Sequence, residues 1–129
     1  AWFVIATLID RPVTIYGDGK QVRDVLHVGD LVEAFDKFLS SNLNHEVFNI
    51  GGGPNNILSL LELLDLLKRL TGKKPRLAFA DWRLADQRVY VSDISKAESC
   101  LGWKPKVNPM DGVGRLIGWV SQNKGLFAR

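Results

Sequence analysis

Among the side chains of this sequence, the arginines have the best-defined chemistry to offer. A planar guanidinium meets two oxygens of one phosphate or carboxylate at once. Arg23, Arg83 and Arg88 stand in two segments, residues 16–30 and 82–93, where glycine and charge gather in a way no apolar core explains. Two such arginines converging on one diphosphate would form a charge-assisted anion clamp. The same residues would also serve as surface ion pairs, Arg23 with Asp24 and Arg83 or Arg88 with Asp86, each contributing little. Composition alone leaves both readings open.

Other patterns are weaker. Tyr16 and Lys20 have the spacing of a Tyr-x-x-x-Lys pair, which needs a helix to bring residues four apart onto one face. Gly17-Asp18-Gly19 fills that gap and predicts a turn instead. Residues 51–56, Gly-Gly-Gly-Pro-Asn-Asn, follow a predicted strand and precede a helix. As a dinucleotide loop they lack the third spaced glycine, and Pro54 has no N–H to offer a phosphate. A structural turn is the expectation. His27 and His45 are the only histidines, with no carboxylate at metal spacing, so no metal site is expected. No serine or cysteine nucleophile motif is found.

The elements that must position these residues follow from local pattern. An apolar helix opens the chain over residues 1–9, and helices apolar all round need protein cover. It reads as an internal element, with something upstream removed. Val13 to Tyr16 is β-branched and aromatic, hence a strand. Asp30 is expected to cap a helix that buries Leu31, Ala34, Phe35 and Phe38. Residues 46–50 predict another strand. Ser59 and Glu62 form a capping box for a helix that buries Leu60, Leu63, Leu64 and Leu67, ended by Gly72. Residues 76–79 and 88–91 predict short strands, Asp93 caps the next helix, and Gly112, Gly114 and Gly118 weaken the last one. Helices alternating with short strands make an α/β chain with small, two-stranded sheets, read as one domain over residues 1–129.

Composition bounds the rest. Of 129 residues, 46% are hydrophobic and 24% charged, which describes an ordinary globular domain. One cysteine, Cys100, rules out an internal disulfide framework. No apolar run is long enough to cross a bilayer, and no membrane association is expected. Seventeen Lys and Arg against fourteen Asp and Glu give +3, and the basic residues are scattered rather than striped. A nucleic-acid partner is therefore not expected, despite a pI near 9.2. A soluble, cytoplasmic protein is the reading.

Four runs in order carry a family resemblance. They are Gly-Asp-Gly-x-x-x-Arg-Asp-x-x-x-Val-x-Asp at 17–30, Val-Phe-Asn-Ile-Gly-Gly at 47–52 followed by Ser-Leu-Leu-Glu at 59–62, Asp-Gln-Arg-Val-Tyr-Val-Ser-Asp-Ile-Ser-Lys-Ala at 86–97, and Leu-Gly-Trp-Lys-Pro at 101–105. Together they resemble the C-terminal part of an extended short-chain dehydrogenase/reductase, an NAD-dependent nucleotide-sugar epimerase or dehydratase. The runs around Arg23 and Arg88 are similar to the CDP-tyvelose (CDP-paratose) 2-epimerase branch.

The resemblance implies a division of labour. An N-terminal Rossmann domain, absent here, would bind NAD and carry the catalytic groups, so no catalytic and no cofactor-binding residue is expected in these residues. This part would bind a nucleotide-diphosphate sugar. Arg23 and Arg83 would hold the pyrophosphate, with Arg88 a further phosphate candidate. Asp86 would bond the ribose, and the strand from Thr14 to Tyr16 would border the base. Asp24 would orient Arg23. The family reaction implied is epimerisation at C2 of a CDP-sugar through a keto intermediate, with 4,6-dehydration or 4-epimerisation as alternatives. A non-catalytic interaction module or a basic nucleic-acid binder is the alternative of another class. The full-length enzyme would be a homo-oligomer, and these residues alone would be inactive. Where many members read Arg-Pro-Gly-Asp, this chain has Arg83-Leu84-Ala85-Asp86, so the loop is expected to shift for want of its glycine.

Overall fold

The structure, a computed structural model, describes residues 1–127. Within the span read from sequence as one domain, the chain forms two compact units. The first comprises residues 1–21, 59–88 and 110 onward; the second comprises residues 22–58 and 89–109.

In the first unit, helix α1 (Trp2–Leu8), helix α3 (Leu60–Thr71) and helix α5 (Pro109–Gln122) surround an apolar interior. Val4, Leu8, Leu67 and Val120 are buried there, with Phe3, Leu63, Leu116 and Phe127 packed against them. Each such side chain removed from water contributes about 1.5–3 kcal/mol. Strand β1 (Val13–Tyr16) pairs in parallel with β4 (Leu77–Ala80), register Val13↔Leu77 to Tyr16↔Ala80. Side chains on β1 alternate as a strand requires: Val13 and Ile15 are buried, Thr14 is exposed. The capping box at Ser59 is formed in full: the Glu62 N–H donates to the Ser59 hydroxyl, and the Glu62 carboxylate accepts from the Ser59 N–H. Gly72 ends α3 at φ 69°, a conformation that costs glycine nothing.

In the second unit, β2 (Val22–Asp24) lies between β3 (Ile57–Ser59) and β5 (Val89–Tyr90), in parallel with β5. One sheet thus has the two strands expected and the other has three. Strand β3 escapes the sequence reading because it is three residues long and runs directly into a strong helix signal. Trp103 is fully buried with Ala34, Ile94 and Ala97 between helix α2 (Val28–Leu39) and helix α4 (Ser95–Leu101). Its indole N–H donates to the Asp30 carbonyl at 2.8 Å.

Three local expectations are corrected. Helix α2 starts three residues early, capped by His27, whose Nδ1 accepts from the Gly29 N–H. Asp30 is therefore not the cap: it is buried in the first turn, and its carboxylate accepts from the Val107 N–H. Phe35 is not on the buried face. It lies exposed with Val28, Val32 and Leu39, spaced along one stripe of α2. Residues 46–50 form no ladder among the described residues, and Val47 is 81% exposed. The β-propensity is present, but Phe48 and Ile50 are held by packing onto the Trp103 cluster rather than by a strand partner.

Candidate functional site

Of the six residues singled out for substrate contact, Thr14, Tyr16, Arg83, Asp86 and Arg88 belong to the first unit and Arg23 to the second. Of the first group, Tyr16 and Arg83 meet where β1 ends and the loop after β4 begins. Strand β1 is fixed at its end by two bonds: the Gly17 N–H donates to the Ala80 carbonyl, and the Gln21 side chain donates to the Tyr16 carbonyl at 2.7 Å. Tyr16 is half-buried, and the Arg83 guanidinium carbon stands 3.7 Å from its ring centroid, a stacked cation–π contact. Arg88 stands 5.4 Å from the Trp82 ring.

Two further residues complete this arrangement: Gly17, read from sequence only as part of a turn, and Trp82, to which sequence reasoning assigned nothing. Trp82 packs onto Gly17, at φ 85°, so closely that a β-carbon there would overlap the indole. The glycine of the Tyr16-Gly17 step thus makes room for an aromatic ring. The available signal was an aromatic directly before Arg83.

The loop bearing Arg83 is a tight turn. The Asp86 N–H donates to the Arg83 carbonyl at 3.2 Å, and Ala85 lies at φ 63°. That is the left-handed region, which favours glycine. The alanine takes the conformation at a cost of about 1–2 kcal/mol. Asp86 is half-buried, while Leu84 is wholly exposed. Thr14 is exposed on β1.

In the second unit Arg23 is half-buried on β2, and its guanidinium donates to the Val22 carbonyl at 2.8 Å. Beside it, one carboxylate oxygen of Asp24 accepts from the Gly53 N–H at 3.0 Å and the Ser92 N–H at 3.2 Å. Burial opposes the charge on Asp24, yet the Gly53 and Ser92 bonds outweigh it and hold the carboxyl below its usual range. Asp24 therefore fastens the glycine tract and the exit of β5.

The glycines of that tract sit against the chain's own atoms. A β-carbon on Gly51 would meet Ser92 and Asp24, and one on Gly52 would meet the Val25 backbone. These glycines accommodate the chain's own atoms, as the structural-turn reading expects. The unit also has an open hollow of about 490 Å³, bordered by Asn55, Ser92, Glu98 and Lys104, which contains none of the six singled-out residues. Among the described residues no cluster of His, Cys, Asp or Glu could hold a metal ion. No helix among them is long and apolar enough to cross a membrane.

The model of the GDP-mannose 4,6 dehydratase family matches residues 3–116. The chain is 44% identical over 115 residues to the CDP-paratose 2-epimerase of Salmonella typhi, covering 88% of this chain and 34% of that protein. It is 35% identical over 114 residues to the UDP-glucuronate 4-epimerase of Thermodesulfobacterium geofontis, covering 88% and 35%. The chain thus spans about a third of the length of these relatives. Among solved structures, the Bacillus cereus UDP-glucuronic acid 4-epimerase in complex with UDP-glucuronic acid and NAD matches with a TM-score of 0.84 at 30% identity. That match covers 93% of this chain and 38% of the other. The Thermotoga maritima UDP-glucose 4-epimerase with UDP-glucose matches with a TM-score of 0.85 at 32% identity, covering 95% and 39%.

Proposed function

The chain belongs to the GDP-mannose 4,6 dehydratase family, of the extended short-chain dehydrogenase/reductase kind, and from that premise we propose that it is the nucleotide-diphosphate-sugar-binding part of an NAD-dependent sugar-nucleotide epimerase. The proposed reaction of the whole protein is inversion at C2 of a CDP-sugar through a keto intermediate. The observation that carries the choice is the 44% identity to a CDP-paratose 2-epimerase, against 35% and 34% to a 4-epimerase and a dTDP-glucose 4,6-dehydratase. NAD and the groups that move hydride and protons are assigned to the protein outside these residues, and no step of that chemistry is assigned to this chain.

This chain's contribution is positioning. Arg83 and Arg23 each supply a guanidinium to phosphate oxygens, Asp86 accepts from a ribose hydroxyl, the strand from Thr14 to Tyr16 borders the base, and Arg88 adds positive charge. Binding a remote diphosphate fixes the sugar in the geometry of reaction, which lowers the entropic part of the barrier. The whole protein is further proposed to be a cytoplasmic homo-oligomer.

Two measurements test this. In the full-length protein Arg23→Ala weakens nucleotide-sugar binding more than tenfold by calorimetry, as expected for loss of a charged hydrogen bond of about 1.5–3 kcal/mol; an unchanged dissociation constant removes Arg23 from the site. Product analysis by NMR with a CDP-sugar distinguishes C2 inversion from C4 inversion or loss of water. The 129 residues alone give no turnover, and NAD-dependent turnover by them would overturn the division of labour.

A further inference from the structure

We infer that Tyr16 is a positioning residue for Arg83: its ring is a fixed platform on which the guanidinium lies flat, with its N–H edge turned to a ligand's phosphate. This rests on the reading of Arg83 as a phosphate ligand and assigns Tyr16 a different task from bordering the base.

The two residues have opposite local character. Tyr16 ends a strand whose backbone is tied to Ala80 across the sheet and to the Gln21 side chain. The backbone that carries its ring is therefore held in place. Arg83 sits on an exposed loop, where a long side chain loses much rotamer freedom on binding an anion. A guanidinium stacked at 3.7 Å has already lost that freedom. Stacking uses the π face and leaves the in-plane N–H donors available for bidentate contact with phosphate. The loop supports the same arrangement. Trp82 is seated on Gly17, and the turn closed by the Asp86 N–H and the Arg83 carbonyl fixes the backbone from which the guanidinium extends. Part of the ordering cost of binding is thus met before the ligand arrives.

The test uses the full-length protein with two probes, CDP and cytidine, by calorimetry. Arg83→Gln weakens CDP binding more than tenfold and leaves cytidine unchanged. Tyr16→Phe, which keeps the ring, leaves both unchanged. Tyr16→Leu weakens CDP about threefold to fivefold, the size of an exposed cation–π contact, and leaves cytidine unchanged. The Arg83→Gln, Tyr16→Leu double variant binds CDP no more weakly than Arg83→Gln alone. Arg83→Lys keeps the charge but not the planar stack, so it loses CDP affinity even if Tyr16→Leu fails to fold.

An unchanged CDP affinity in Arg83→Gln overturns the phosphate role of Arg83 itself. If Arg83→Gln weakens CDP as expected, the platform alone is overturned by any of three results. These are an equal loss for cytidine in Tyr16→Leu, an additive double variant, or tighter CDP binding in Tyr16→Leu, which would mean the stack competes with the ligand. Full CDP affinity in Arg83→Lys overturns it too.

Discussion

Two glycine-bearing regions of this chain do opposite work. At residues 51–53 the missing side chains let backbone, Asp24 and Ser92 close on one another, and the polar groups are consumed internally. At Gly17 the missing side chain admits the Trp82 indole, and the loop beyond it leaves its guanidinium groups on aromatic faces at the surface. The first region resembles a phosphate loop in sequence and is a fastening. The second has no loop signature and presents the cations. A glycine-rich stretch is identified by what enters the space it leaves.

The contrast breaks most visibly at Gly52. A β-carbon there would meet the Val25 main chain, which cannot move without unseating β2. Gly52→Ala is expected to cost about 3 kcal/mol, the upper range for overpacking. A fall in denaturation midpoint would measure it, and a variant as stable as the parent would mean the close approach is absent. Asp24 tests the same region through pH. Its folded-state carboxyl titrates below the usual value, so the protonated form is the one that loses Gly53 and Ser92. The stability it confers is complete above the unfolded carboxyl pKa of about 3.9 and is lost as pH falls through the lower, folded value. Asp24→Ala should cost about 2 kcal/mol at neutral pH, by loss of charged hydrogen bonds, and progressively less below about pH 4. Stability curves against pH for variant and parent that run parallel would remove Asp24 from the fastening.

The cationic region should yield less stability and more binding. Gly17→Ala meets both a left-handed backbone and the Trp82 ring, with a side chain rather than a strand obliged to give way. A loss of about 1–2 kcal/mol is expected. The double change with Trp82→Leu should recover part of it by removing the overlap, as a thermal double-mutant cycle would show.

Legibility follows the same division. The capping box at Ser59 and Glu62, the Gly72 stop and the strand of β1 were readable because each is decided by contacts within four residues or by a plain alternation. The start of α2 was not, because His27 and Asp30 are both able to cap and the choice was made at a distance by Trp103 and Val107 reaching Asp30. Residues 46–50 read as a strand from propensity, but a strand also needs a neighbour. The resemblance named Tyr16, Arg83 and Arg88 as separate contacts, whereas the pairing of cations with rings depends on loop conformation that no local pattern encodes.

The smallest effect sharpens the comparison most, because it separates backbone cost from contact. Ala85 holds φ 63° in the Arg83 loop with no glycine to relax it. Ala85→Gly should stabilise the chain by no more than about 1 kcal/mol, since relief of left-handed strain is partly offset by the greater freedom of glycine in the unfolded chain. Gly118→Ala in α5 is the matched control. Nothing lies within 4 Å of a β-carbon there, so the same exchange in the opposite direction should stabilise by about 1 kcal/mol through helix propensity alone. If Ala85→Gly raises stability yet weakens CDP binding, the alanine is retained in the loop for the rigidity it imposes on Arg83. If binding is unchanged, the stack on Tyr16 holds the guanidinium without help from the turn.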